Sequence, residues 1–224
     1  MRSSSRVVAA VCALLTSGVA AVHPQTLQVT AELTTRNVRT EESNLASIVA
    51  DAVRAADPAA EIAFVAASSF NEVTIPKGSA TPDDILKALA FRTDSLQVLK
   101  LTGAQVRQAL EHGLAIHPQR HSAFLQVSGI TVTVDPSAPR DRRVVSVRVG
   151  SAPLSETKIY LVAMPAPLAS GALNYDRIWR RSDVERDVTG PTGEPMTLEE
   201  AVRRYLASHR TVPVRNEERI VFRK

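Results

Sequence analysis

The chain has 224 residues, 27 Lys and Arg against 23 Asp and Glu, and 44% hydrophobic residues. A single cysteine excludes a disulfide framework, so a hydrophobic core has to hold the fold. Residues 1–21 carry two arginines and no acid, which leaves the remainder with 25 basic and 23 acidic side chains. A surplus of +2 is too small to argue for nucleic acid or an anionic membrane as partner.

The first segment reads as a secretory signal peptide. Arg2 and Arg6 precede the apolar run Val7 to Leu15, and Val19-Ala20-Ala21 fits the small-x-small rule for cleavage. The run is too short to span the roughly 30 Å of a bilayer core as a helix. Cys12 lies inside it, which leaves residues 22–224 without a thiol. These residues form one domain, exported to the periplasm or beyond the cell, with no membrane contact once the leader is gone.

Leu27 to Leu33 reads as an approach strand. Leu45, Ile48, Val49, Ala52, Val53 and Ala56 then mark one helix face, ending before Asp57-Pro58. Glu61 to Ala66 is a short buried strand. Thr81-Pro82-Asp83-Asp84 supplies an N-cap, a first-turn proline and acids where the helix dipole favours them, with Ile85, Leu86 and Leu89 directed inward.

Leu96 to Leu101 alternates as a mostly buried strand, and Thr102 caps a helix whose apolar face is Val106, Ala109 and Leu110. After a polar connection, Phe124 to Gly129 runs into the alternating Ile130 to Val134, giving one strand–helix–loop–strand unit. Arg143 to Val149 and Lys158 to Met164 are further strands. The arginine-rich stretches at 140–143 and 177–181 read as solvated faces, and Ser182 to Pro195 as a long surface loop. Thr197-Leu198-Glu199-Glu200 is a capping box for a last helix burying Ala201, Val202, Tyr205 and Leu206, and Arg219 to Phe222 closes a sheet edge. Strands and helices mix without strict βαβ repetition, so the fold class is α+β.

Catalytic patterns are missing. Two-metal phosphate hydrolysis needs Asp, His and Asn ligands holding cations about 3.5–4 Å apart. His112, His117 and His121 have a loosely metal-like spacing but no partnered acid motif, and they read as solvated. No G-x-S-x-G turn, phosphate-cradling glycine loop or thiol nucleophile is present, and Ser68-Ser69 read as loop serines. Catalytic residues, metal ligands and cofactors are therefore all expected to be none.

Several segments in order resemble the C-terminal, substrate-recognition domain of the 5′-nucleotidase family. They are the Glu42–Ala56 stretch ESNLASIVADAVRAA, LKALAF (Leu86–Phe91), LTGAQVRQALEHGL, FLQVSGITVTVDPS, RVVSVRVG and KIYLVAMPAPLASG. The likeness runs from about Leu33 to Tyr205. It implies a layered helix–sheet–sheet–helix arrangement, and a domain standing without the metallophosphatase domain that holds the family's metal ligands. It also implies a nucleotide pocket in which the base is sandwiched between two rings, while Arg, Asn and Asp hold the ribose and phosphate.

On that resemblance Phe91 keeps one ring and is the one substrate-binding residue carried over. Pro167 and Leu173 stand where the second ring and an acid are expected. Ala66 to Asn71 loses an Asn and an Arg, and Glu41 replaces another Arg, with Arg39 two residues earlier. Two functions remain. In one, the chain is the non-catalytic recognition part of a split 5′-nucleotidase-like phosphohydrolase, binding a nucleoside or nucleotide weakly and needing a separate metallophosphatase chain. In the other, it is a degenerate binding or scaffold module whose ligand is not a nucleotide.

The leader makes a direct prediction. N-terminal sequencing of exported protein returns Val22 as the first residue, and an intact Met1 outside the cytoplasm disproves it.

Overall fold

In the computed structural model, which describes residues 26–209, 211–212 and 218–223, the chain begins with two short strands, β1 (Leu27–Val29) and β2 (Leu33–Thr34). The leader and its cleavage boundary lie outside the described residues. The amphipathic repeat that follows is helix α1 (Asn44–Ala55), which buries Leu45, Ile48, Val49, Ala52 and Val53. After Asp57-Pro58 comes β3 (Ile62–Ala66), buried at all five positions, as an interior strand covered on both faces must be.

Strands β4 (Thr74–Ile75) and β5 (Gly78–Ala80) lead to α2 (Pro82–Leu86), a single turn capped reciprocally by Thr81 and Asp84. Then β6 (Leu96–Thr102) runs straight into α3 (Gly103–Gly113). The junction is fixed by sequence: the Thr102 hydroxyl accepts from the Gln105 N–H at 3.2 Å, and Gln105 Oε1 accepts from the Thr102 N–H at 2.9 Å. Two orphan donors of the first turn are satisfied within four residues.

The rest comprises β7 (Leu125–Ser128), β8 (Ile130–Val134), β9 (Val144–Val149), β10 (Ala152–Pro153) and β11 (Ile159–Pro165). Helix α4 (Ala166–Ala169), β12 (Val184–Asp187), α5 (Leu198–Ser208), β13 (Thr211–Val212) and β14 (Ile220–Phe222) complete it. A five-stranded sheet has the order β12-β6-β11-β3-β7 and a four-stranded sheet the order β10-β9-β8-β14. Two small sheets, β13-β1-β5 and β2-β4, flank them. Helix α1 packs on β3 and β7, α5 packs on α1, and α3 touches β6 of one large sheet and β9 of the other. The layered α+β arrangement is the expected one.

Several local readings are corrected. The strand–helix–loop–strand unit is divided: β7 pairs with β3 while β8, one residue later, pairs with β9 in the other sheet. Gly129 makes the switch at φ +81°, and a Cβ there would lie 2.1 Å from the Glu61 carbonyl oxygen. The Ser182–Pro195 stretch is no free loop, because β12 pairs antiparallel with β6 and Val188 is buried. Its charged side chains find partners, Lys100 pairing with Glu185 and Arg186 with Asp57.

The last capping box is half formed. Thr197 caps the Glu200 N–H, but the Glu200 carboxylate pairs with Arg204. Tyr205 is half-buried and stacks on His209. Within the arginine-rich stretches, Arg143 donates to the carbonyls of Leu114 and Ala138, and Trp179 is buried.

The expected closing strand forms: β14 pairs parallel with β8 at the sheet's edge. Arg219, just before it, has a side chain only 9% exposed and pairs through both terminal nitrogens with Asp51 at 2.8–2.9 Å. The same guanidinium donates to the Val127 carbonyl at 3.0 Å. Removing one member of such a pair leaves the other charge buried alone. Arg219→Ala should therefore lower the free energy of unfolding by about 3–5 kcal/mol in a urea titration. The double change Arg219→Met, Asp51→Leu should cost less, because it leaves no orphaned charge.

Candidate functional site

β3 and β11 run parallel side by side, and the chain leaves both at the same end of the sheet. After β3 it forms a short helical turn over Ala67–Ser69; after β11 it turns at Pro165 into α4. The segment between α2 and β6 crosses the same end, held there by backbone bonds from Ala90 to Ser69 and from Ala166 to Ser95. The segments that follow these two parallel strands therefore face one another across a crevice at that end.

Here it is a pocket of about 450 Å³. Ser68 and Ser69 supply one wall, Phe91 and Asp94 a second, Pro167 and Leu168 a third, and Ala172 with Leu173 close it. The positions singled out in the sequence, Phe91, Pro167, Leu173 and the 66–71 segment, therefore converge. Phe91 is 54% exposed, so its ring is not spent on the core.

Glu41 and Arg39 are not brought in. Glu41 is exposed and accepts from the Asn37 amide. Arg39 donates to Ser122, whose carbonyl accepts from the Ser68 N–H, so it stands behind the serine wall without lining it. The carboxylate that does line the pocket is Asp94, which the sequence reading passed over. Burial pushes its pKa up. Nothing in the local pattern marks Asp94, since it falls in an irregular stretch between a one-turn helix and a strand.

The Leu173 wall is conformationally expensive. Leu173 and Asn174 both adopt left-handed backbone, at φ 61° and 67°. Such a conformation costs a residue with a Cβ roughly 1–2 kcal/mol and persists only when its surroundings impose it. The imposing groups are in view. His112 Nε2 donates to the Leu173 carbonyl at 2.8 Å, and its ring meets Tyr175 edge-on with centroids 4.7 Å apart. Tyr175, fully buried, donates to the Ala123 carbonyl and stacks on Trp179, whose indole N–H is bound by the Leu168 carbonyl.

The expectation of solvated histidines fails for the same reason. His112 and His121 are partly buried ring contacts, and His117 stacks on Phe222 with burial lowering its pKa. Among the described residues no three His, Cys, Asp or Glu side chains gather as metal ligands would.

A family model described as "5′-nucleotidase, C-terminal domain" matches residues 18–178. The chain belongs to that family. It is 34% identical over 117 residues to the trifunctional nucleotide phosphoesterase protein YfkN of Bacillus subtilis, across 51% of this chain and 8% of that protein. Among solved structures it resembles a 5′-nucleotidase precursor from Thermus thermophilus, with a TM-score of 0.74 and 25% identity, covering 88% of this chain and 39% of that one. It also resembles the Thermus thermophilus sulfate thiohydrolase SoxB in complex with glycerol, with a TM-score of 0.65 and 26% identity, covering 89% and 35%. The chain thus spans well under half the length of each of these proteins.

Asp94 makes the pocket's electrostatics testable. A carboxyl whose folded-state pKa is raised imposes no penalty below its unfolded pKa, and its penalty grows as pH rises through the folded value. Asp94→Asn should therefore raise the melting temperature at neutral pH, and the gain should vanish at pH 3, measured by calorimetric scans across that range. An unchanged difference at both ends would contradict the burial of this carboxyl.

Proposed function

We propose that this 5′-nucleotidase C-terminal domain is a recognition module, working in the periplasm or outside the cell, which receives a flat, uncharged heterocycle of the nucleoside class in the Phe91 pocket. Hydrolysis belongs to a metallophosphatase domain on a separate chain. Membership of the family supports the general role, and the metal-ligand motifs of the reaction are not found in these residues, which is why hydrolysis is assigned outside this domain.

One observation carries the choice of ligand. Among the described residues lining the pocket there is an exposed ring and one carboxylate, and no Lys or Arg. A phosphate needs charge-assisted donors to replace its hydration, and here it would meet Asp94 instead. A purine needs a face to stack on and polar groups at its edge. Phe91 offers the face; Ser68, Ser69 and Asp94 offer the polar groups. Pro167 can pack on a ring but adds no second π-system, so the affinity rests on a single stack of about 1–3 kcal/mol.

A second reading, in which the ligand is not a nucleotide, is favoured by a different observation. The chain is as similar in sequence to the sulfate thiohydrolase as to the 5′-nucleotidase of the same organism.

The two separate in a binding assay on residues 22–224. The proposal predicts adenosine binding with a dissociation constant on the order of 0.1–1 mM or poorer, weaker binding of adenosine monophosphate, and loss of both in Phe91→Ala. Calorimetry or ligand-observed NMR reads this directly. Micromolar binding of the monophosphate would overturn the charge argument, and binding of neither would leave the second reading.

A further inference from the structure

A second recess, of about 390 Å³, lies at the opposite end of the five-stranded sheet from Phe91. The register sets the separation: Ala66, on the Phe91 pocket, pairs with Leu125, whereas Ser128, on the second recess, pairs with Ala63. That is three residues, or about 10 Å, along the strands. The recess is formed where the chain switches sheets at Gly129, between the end of α1, the turn at Gly150 and the C-terminal Arg219.

Its charged groups are arranged in series. Arg219, buried, holds both oxygens of Asp51. Asp51 accepts the Ser128 hydroxyl at 2.6 Å, and Ser128 in turn accepts from Arg54 Nε at 2.8 Å. The stem of Arg54 lies across Gly129, with its Cδ only 3.0 Å from where a Cβ would stand. Arg54 is therefore anchored through Nε and through its stem. Among the described residues its two terminal nitrogens have no hydrogen bond and no ion pair, and the side chain is exposed on the recess.

An arginine with Nε occupied and both terminal nitrogens facing a recess is preorganised for an oxyanion. The charge count selects which kind. Among the described lining residues, Arg219 and Asp51 form an ion pair and Arg54 adds one further positive charge. From this geometry we infer that the recess is a carboxylate-binding site centred on Arg54, taking a small carboxylic acid or the carboxylate end of a peptide. A phosphate dianion would leave an excess negative charge beside Asp51, whereas a monoanionic carboxylate matches the single charge of Arg54. The inference is independent of the Phe91 pocket, since the two share no lining residue.

The test is amide-detected NMR on the full exported chain, titrated at constant ionic strength with acetate, with N-acetylglycylglycine and with inorganic phosphate. Saturable shifts confined to Ser128, Gly129, Thr131 and Gly150 are expected with both carboxylates. Arg54→Gln should weaken them at least tenfold, and Arg54→Lys, which keeps the charge but loses the planar fork, should fall between. Arg54 is exposed, so both variants should melt as the parent does. Tighter binding of the peptide assigns the site to a protein tail, equal binding assigns it to small acids, and either supports the proposal. It is overturned by shifts that do not saturate, by equal saturation in Arg54→Gln, or by phosphate binding more tightly than acetate.

Discussion

One buried ion pair ties the edge strand of the four-stranded sheet to the five-stranded sheet and its covering helix. Arg219 stands at the threshold of β14 in the four-stranded sheet, yet its guanidinium is spent on Asp51 of α1 and on the Val127 carbonyl of β7 in the five-stranded sheet. Its own backbone N–H is taken by Glu42, just before α1. Helix, first sheet and second sheet therefore meet at one side chain. A buried pair of this kind adds little net stability relative to apolar packing, because desolvation offsets its attraction. What it supplies is position: only one placement of β14 satisfies both charges and the Val127 carbonyl at once.

The Phe91 pocket depends on a different sort of constraint. Its walls come from three chain crossings at one sheet end, and the most demanding of them is the left-handed pair Leu173 and Asn174. The aromatic column of His112, Tyr175 and Trp179 supports it: His112 and Trp179 bond to carbonyls of the turn and of the pocket's third wall, and Tyr175 between them is anchored on the Ala123 carbonyl. Rigid rings with few rotatable bonds make an effective buttress because little entropy is lost in ordering them. The pocket's last wall is thereby held in shape, and the described residues that line it are mostly apolar.

How much of this was legible depends on where the information sits. Helix starts were plain because Thr102, Thr81 and Thr197 act within three residues of themselves. The buried face of α1 was plain because its period is local. The switch at Gly129 was not, since alternation runs through it almost unbroken and only tertiary pairing divides β7 from β8. β12 was missed because Val-Glu-Arg-Asp is an edge strand whose charges are met by Lys100 and Asp57, both far away in sequence. Phe91 can be picked out by resemblance, whereas Asp94 cannot, and Glu41, at the position of an expected Arg, is exposed and does not line the pocket. His112, His117 and His121 pack against other rings, which their polar surroundings in the sequence do not reveal.

The contacts that close this fold are separated by almost the whole chain. Arg219 and Asp51 are 168 residues apart, and β13 pairs with β1, the first strand, in parallel. Such pairings require large loops to be closed before any reward is collected, which makes them slow and late. A chain emerging amino-terminus first can assemble α1 against β3 early, but it holds an unmatched Asp51 and an open sheet edge until Arg219 and β13 appear. The domain is in this sense kept in abeyance during synthesis. Its native pairings are completed only when β13 and β14 have joined the strands that precede them.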